Sequence, residues 1–153
     1  MRAAASVAHT GRRQQLDQGG PEIDYRLEVV AVPVSDVDAA KAFYERIGYH
    51  IDHDHRLSDE LRFVQITPPG SCCSIVIGNG ITSAPPGSAQ RLQVVVDDVE
   101  AARAQLRDAG VDVGDVEESL AGRFVFFSDP DGNGWAVQQF PASGSQPAPR
   151  AAD

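Results

Sequence analysis

The chain has 153 residues, of which 42% are hydrophobic, and it carries a formal net charge of −9 at pH 7. This length and composition predict one compact domain with a hydrophobic core of its own. The negative charge argues against nucleic acids and anionic membrane surfaces as partners, because both would be repelled by it.

Both ends of the chain are predicted to be disordered tails, over residues 1–22 and 142–153, because they are rich in small and polar residues without periodicity. The first of them has no continuous apolar run such as a secretory signal needs, and no other segment is long enough to span a membrane. We therefore expect a cytoplasmic protein whose folded domain covers residues 23–141.

A first module is predicted over residues 26–78. It opens with a strand over residues 26–33, whose continuous apolar run predicts burial on both faces. A helix follows, capped by Ser35 or Asp36 and ended by Gly48, which suits a left-handed C-terminal residue. Three further strands complete the module, over residues 49–57, 61–67 and 72–77.

A second module, over residues 91–140, repeats the first at an offset of 62 residues. Residues 34–42 align without a gap with residues 96–104, and the helix-ending glycine recurs as Gly110. Its helix is expected to be capped by Asp97, and its strands are predicted over residues 91–96, 111–116, 122–128 and 135–140.

The repeat predicts an α+β fold of two paired βαβββ modules, which form a concave mixed-sheet cup with the helices outside. The linker over residues 78–90 is compatible with modules that pair within one chain or across a dimer, and we expect a homodimer. Cys72 and Cys73 are adjacent in a strand-like run, where a disulfide between them would distort the backbone. Two reduced, partly buried thiols are therefore expected.

At this stage the sequence resembles the glyoxalase, bleomycin-resistance and extradiol dioxygenase superfamily, also called the vicinal oxygen chelate proteins. The resemblance rests on the repeated module, on the segment Pro33-Val34-Ser35-Asp36-Val37 before Ala42-Phe43-Tyr44, and on Ser128-Asp129-Pro130-Asp131-Gly132-Asn133 before the last strand. It covers roughly residues 27–140. The superfamily includes isomerases, dioxygenases, transferases and binding proteins, so the resemblance implies the fold and leaves the function open.

In metal-using relatives, the resemblance implies four ligands that face the cup, one on the first and one on the last strand of each module. Carried over by position, these fall on Val29, Arg91 and Ala136, with the fourth on Ser74 or, after a two-residue slip, Val76. Such side chains offer no imidazole, carboxylate or thiolate to a divalent cation. We therefore expect that the inherited metal site is lost and that no cofactor is needed.

Two histidines could compensate for this loss. In the alternating stretch His50-Ile51-Asp52-His53-Asp54-His55, strand geometry places Ile51, His53 and His55 on one face. If Ile51 faces the core, both imidazoles point toward the cup or its rim. The alternative is a solvated strand end, with Asp52 and Asp54 facing outward.

A polar group is also predicted on the cup face, formed by Arg91, Gln93 and Gln138. The Arg91 guanidinium is a candidate fork for a ligand carboxylate, phosphate or enolate oxygen. The alternative is an arginine at a strand end that extends into solvent or pairs with Glu28. Gln65 alternates with Phe63 and is either a buried polar group or a ligand contact.

Together these features predict a protein that binds a small organic molecule without a metal, in the manner of the drug-binding members of the superfamily. The cup is expected to be lined by eight residues, with His53 and His55 at the mouth: Val29, Ala31, Ser74, Val76, Arg91, Gln93, Ala136 and Gln138. The alternative is a glyoxalase-type lyase or isomerase. It would use either a relocated metal on His53 and His55, or one of these histidines as general base with Arg91 stabilising an oxyanion.

Overall fold

The computed structural model describes residues 20–142, so the two predicted tails lie outside it except for residues 20–22 and 142. The helices are α1 (Val37–Arg46) and α2 (Val99–Asp108). The strands of the first half are β1 (Val29–Ala31), β2 (His50–Arg56), β3 (Arg62–Thr67) and β4 (Ser74–Asn79). Those of the second half are β5 (Leu92–Val95), β6 (Glu117–Ser119), β7 (Gly122–Ser128) and β8 (Gly134–Gln139).

The strands form two four-stranded mixed sheets. Sheet A has the order β1-β4-β3-β2, and sheet B has the order β5-β8-β7-β6. In each sheet the first strand pairs in parallel with the last strand of its module, and the remaining pairs are antiparallel. The predicted α+β fold of paired βαβββ modules is thereby confirmed.

The two helices begin and end in the same way. The Asp36 and Asp98 carboxylates cap them by accepting hydrogen bonds from the backbone N–H groups of Ala39 and Ala101. The cap of α2 is thus one residue later than the predicted Asp97. Gly48 and Gly110 follow the helices with φ of 94° and 83°, as the repeat predicts.

Two predicted strands differ from those observed. The first strand is reduced to three residues at the edge of sheet A, and it is not buried on both faces, since Val29 is 43% exposed. Residues 111–116 form no strand. Val111 and Val113 alternate with polar or small residues because both valines pack into the core. The segment makes only a single backbone hydrogen bond to β7, from Gly114 N–H to the Phe126 carbonyl.

The modules share one continuous core, and α1 contacts both sheets. Tyr44 of α1 packs edge-to-face on Trp135 of β8, and Phe43 lies 6.3 Å from Phe127 of β7 between ring centroids. The Tyr44 hydroxyl donates to Asp129 (2.8 Å) and accepts from Trp135 Nε1 (3.1 Å). A buried polar network thus joins the first helix to the turn before the last strand.

The same turn also binds the chain just before α1. Asn133 is fully buried, and its side-chain amide donates to the Pro33 carbonyl and to Asp129, each at 2.8 Å. Within residues 20–142, neither of the two helices is long and apolar enough to cross a membrane.

Candidate functional site

Each sheet has one face covered by helix and core and an opposite face that is open. On sheet A, the ladder pairs place the predicted cup residues of this module on the open face. They are joined there by Phe63 and Thr67, so that this face carries Val29, Ala31, His53, His55, Phe63, Gln65, Thr67, Ser74 and Val76.

The two histidines lie on this open face for a reason that differs from the predicted one. A β-bulge at Asp52 shifts the register of β2, so Ile51 pairs with Ile66 on the covered face while His53 pairs with Gln65 on the open face. Ile51 and the histidines therefore do not share a face. The two imidazoles are exposed and stacked, with ring centroids 5.8 Å apart.

The Asp52 carboxylate at the bulge begins a short polar network on sheet A. It accepts a hydrogen bond from Thr67, whose hydroxyl also lies 2.6 Å from that of Ser74. Gln65 donates to the Ser74 hydroxyl at 3.4 Å. Gln65 is therefore a polar group of the open face, half-buried and in contact with Ser74.

Under the alternative of a solvated strand end, Asp54 was expected to face outward, and in the structure it is exposed and ion-paired. The Arg62 guanidinium donates to both oxygens of Asp54, at 3.0 and 2.9 Å, and a third nitrogen of Arg62 donates to Asp38 of α1 at 2.7 Å. Lys41 of the same helix also donates to Asp54. The hydrogen bonds from Arg62 hold the pKa of Asp54 well below its usual range, so this ion pair fastens α1 to sheet A.

On sheet B, the three predicted polar residues meet in one hydrogen-bonded chain. Arg91 Nε donates to Gln93 Oε1 at 3.4 Å, the Gln93 amide donates to Gln138 at 2.6 Å, and the Gln138 amide donates to the Ala121 carbonyl at 2.8 Å. Ala136 lies beside them and is fully buried. The open face of sheet B is therefore polar at Gln93 and Gln138, and the apolar side chains of Ala136 and Val95 lie beside them.

Two aromatic residues of this face were missed by the sequence analysis. Phe124 and Phe126 of β7 pair with Gln138 and Ala136, and their rings are parallel, with centroids 5.9 Å apart. Phe126 is 38% exposed. The strand over residues 122–128 was predicted, and its alternation would have placed both rings opposite the buried Val125.

Arg91 is exposed rather than buried, and its guanidinium lies over these two rings, 5.6 and 5.9 Å from their centroids. Its φ is 58°, the only positive value at a non-glycine residue within the described part of the chain. No ion pair to Glu28 forms. The cation–π contacts, the Gln93 hydrogen bond and this backbone conformation together fix where the guanidinium points.

The register of the sheets settles one alternative about the inherited ligand positions. Ala31 pairs with Val76, and Gln93, which is its equivalent at the offset of 62, pairs with Ala136. Val76 rather than Ser74 is therefore the counterpart of Ala136. Either residue leaves the set without a donor suited to a divalent cation. Within residues 20–142, no three His, Cys, Asp or Glu side chains converge at one point.

The cysteines lie before β4 rather than inside a strand. Cys72 is exposed and Cys73 is half-buried, and both are free thiols. Burial raises the pKa of the Cys73 thiol, which favours its protonated, unreactive form.

Paired βαβββ modules, each with its own mixed sheet, one helix and an open face, define the structural class of this protein. The sequence model of the Glyoxalase/Bleomycin resistance protein/Dioxygenase superfamily matches residues 26–137, and the chain belongs to this superfamily.

Solved structures of the same type resemble the chain over most of its length. TnmS3, an antibiotic binding protein from Streptomyces sp. CB03234, is 35% identical, with a TM-score of 0.71 over 80% of this chain and 100% of its own. A glyoxalase/bleomycin resistance protein from the same organism is 36% identical, with a TM-score of 0.66 over 74% of this chain and 100% of its own.

A relative was also found by sequence. The uncharacterized protein YetH of Bacillus subtilis is 29% identical over 119 residues, which are 74% of this chain and 98% of that protein.

Proposed function

We propose that this protein binds a small organic molecule on the open faces of its sheets without the help of a metal ion. The observation that carries the proposal is the surface formed by Phe124 and Phe126, with the Arg91 guanidinium over both rings and the Gln93–Gln138 pair beside them. A ligand site needs this combination of apolar contact area and a few fixed polar groups. The likeness to an antibiotic binding protein supports the same function.

The inherited ligand positions support the metal-free part of the proposal. Val29, Arg91, Ala136 and Val76 supply no lone pair of the kind that a divalent cation prefers, and the guanidinium would repel a cation. The alternative, a glyoxalase-type enzyme, would need a relocated metal on the stacked pair His53 and His55, or metal-free chemistry by one of them. Both imidazoles lie on sheet A, and the arginine lies on sheet B.

We further propose that the cup is completed in a homodimer, in a reducing compartment such as the cytoplasm. Val29 on sheet A and Val95 and Phe126 on sheet B are 43%, 48% and 38% exposed, which leaves apolar area open on both sheets. In a two-fold dimer, sheet A of each copy can close over sheet B of the other, which forms two equal cups. This arrangement would bring the histidines and the arginine to the same ligand.

The test is a small-molecule screen by ligand-observed NMR, followed by calorimetric titration of a hit before and after chelator treatment. We expect an unchanged affinity after chelation, and a loss of about 1–2 kcal/mol for Phe126→Ala because the ring contact disappears. Tyr25→Ala is the matched control, since Tyr25 is also aromatic, is 91% exposed and lies before β1. Binding that disappears with the chelator, or stoichiometric metal in the purified protein, would favour the enzyme instead.

Arg91→Met separates the ligand role of the arginine from a structural one. The guanidinium is exposed and makes no ion pair within residues 20–142, so its removal should change the free energy of unfolding little. The affinity for an anionic hit should fall by about 1 kcal/mol, the upper range for an exposed charge pair. Destabilisation with unchanged affinity would show that Arg91 belongs to the fold alone. Sedimentation velocity tests the dimer, and a monomer at the concentration of the titration would contradict it.

A further inference from the structure

A second cavity, separate from the two open faces, lies at the end of sheet B where β7 ends and β8 begins. Its volume is about 620 Å³. The last turn of α1 closes it from one side with Phe43 and Arg46, and residues 110–112 after α2 close it from another. Arg91 and Phe126 form the border between this cavity and the open face of sheet B.

The cavity has aromatic walls. The rings of Phe127 and Trp135 are parallel to within 5°, with centroids 5.9 Å apart, and Phe43 is next to Phe127. These three side chains are buried and form the floor of the cavity, and the aromatic ring open to a ligand is that of Phe126, which is 38% exposed. A volume of this size fits a molecule of one or two rings.

Two arginines, Arg46 and Arg91, are among the residues that line the same cavity. Arg46 lies over the Phe43 ring at 5.6 Å, as Arg91 lies over the rings of sheet B. Neither arginine forms an ion pair within residues 20–142, whereas Arg62, Arg103 and Arg123 do. In a chain with a net charge of −9, two unpaired cations at one cavity are a recognition element for an anion.

The carboxylates at the cavity do not cancel this charge. Asp129 is 5% exposed, and its oxygens already accept hydrogen bonds from Tyr44, Asn133 and the backbone of Asp131. Asp112 is exposed, as Arg46 and Arg91 are, so water screens all three of these charges alike.

The backbone of Arg91 provides an independent indication. A left-handed conformation costs a non-glycine residue about 1–2 kcal/mol, and such strain is found mostly where function fixes a side chain. Gly134 lies against the Arg91 backbone, since a Cβ at that glycine would be 3.5 Å from Arg91 N. Arg91 has this conformation at the cavity border, directly before β5.

The internal repeat shows that packing alone does not require these groups. A neighbouring cavity of about 220 Å³, which shares Phe127 with the first, is lined mainly by apolar residues, among them Pro68, Val94 and Leu106. At the offset of 62, the counterparts of Phe43 and Arg46 are Gln105 and Asp108. The repeated fold therefore does not require an arginine at the position of Arg46.

We infer that this inter-module cavity is a second ligand site, for a small aromatic carboxylate. Arg46 and Arg91 bind the carboxylate, and the exposed ring of Phe126 packs against the aromatic part, above the buried rings of Phe43 and Phe127. The site is distinct from the proposed cup because Arg46, Phe43 and Phe127 lie on neither open face. Arg91 lies at the border and is shared by the two sites.

The test uses 2-naphthoate as the probe and 2-naphthol as its uncharged counterpart, in calorimetric titrations with the full chain. Naphthoate should bind more tightly than naphthol, and Arg46→Gln should weaken naphthoate binding by about fivefold or more, which is the upper range for a partly exposed charge pair. Arg107→Gln makes the same charge change on an exposed position of α2 and should leave the affinity unchanged.

The single tryptophan locates the probe, because Trp135 lines the cavity and its indole N–H gives one signal in a ¹⁵N–¹H spectrum. That signal should shift on addition of naphthoate and shift less in Arg46→Gln. Absence of naphthoate binding, equal affinity for naphthol, or equal weakening by Arg107→Gln and Arg46→Gln would each overturn the inference. Unchanged naphthoate binding in His55→Ala, which alters the open face of sheet A, with loss in Arg46→Gln would support this site independently of the proposed cup.

Discussion

Replacing Tyr44 by Phe tests how the two modules are held together. The substitution removes one hydroxyl and keeps the ring, so the contacts of the ring with Trp135 and Tyr49 are retained. Two hydrogen bonds disappear, one donated to the Asp129 carboxylate and one accepted from Trp135 Nε1. The modules then lose the polar link between α1 and the turn before β8.

The expected loss of stability depends on the hydrogen bonds that the partners of Tyr44 retain in the variant. Asp129 keeps the hydrogen bonds from the Asn133 amide and from two backbone N–H groups, so its charge stays partly satisfied. A hydrogen bond to a charged group contributes about 1.5–3 kcal/mol and a neutral one about 0.5–1.5 kcal/mol, and here the lower halves of both ranges apply. We expect the free energy of unfolding to fall by about 2–3 kcal/mol.

Urea unfolding followed by tryptophan fluorescence measures this loss, with Tyr25→Phe as the control. Tyr25 is 91% exposed, so removal of its hydroxyl should have no measurable effect. A loss for Tyr44→Phe below about 0.5 kcal/mol, within the ordinary range of surface substitutions, would refute the role of this network. The slope of free energy against urea should be the same in both variants, since the surface exposed on unfolding is unchanged.

Three further outcomes are expected. Gly48→Ala and Gly110→Ala should each lower the free energy of unfolding by about 1 kcal/mol, as measured in urea, because the positive φ disfavours a side chain although a Cβ would meet no atom within 4 Å. The pKa of Asp54 is lowered in the folded state, chiefly by its hydrogen bonds with Arg62, so stability should fall as the pH drops below about 3.9. Acid titration of Asp54→Asn should show a shallower fall, and an identical one would contradict the ion pair. Burial raises the pKa of Tyr49, so stability should decrease above about pH 10, and less steeply in Tyr49→Phe when unfolding is followed by circular dichroism.

Much of the architecture could be predicted because the two copies constrain each other. Alternation along β3 and β4 placed Gln65, Ser74 and Val76 on one face, and the ladder confirms it. Residues 111–116 show where this reasoning fails. Val111 and Val113 alternate with polar residues as a strand does, but alternation reports burial, and a loop that packs two valines into the core gives the same pattern.

Features that depend on one local irregularity could not be predicted. The bulge at Asp52 reverses the side on which Ile51 lies relative to His53, and nothing in the alternating sequence marks the extra residue. Similarly, the left-handed backbone of Arg91 decides whether its guanidinium is buried among strands or lies over Phe124 and Phe126. Arginine is not a residue for which the sequence would suggest this conformation.

A comparison of the two copies distinguishes residues that the fold requires from residues that are free to serve a ligand. The helix caps and helix-ending glycines recur with the same conformation in both copies, and so do the buried first residues of the helices, Val37 and Val99.

Positions that line the open faces and the inter-module cavity do not recur. Val29 becomes Arg91, Ala31 becomes Gln93, and the Arg46 position becomes Asp108. A core tolerates only substitutions that conserve its shape, whereas a surface that binds a ligand must match the charge of that ligand. Arg91 of the second copy and Arg46 of α1 therefore lie at positions where packing does not determine the residue. Groups that recognise an anion are expected at such positions.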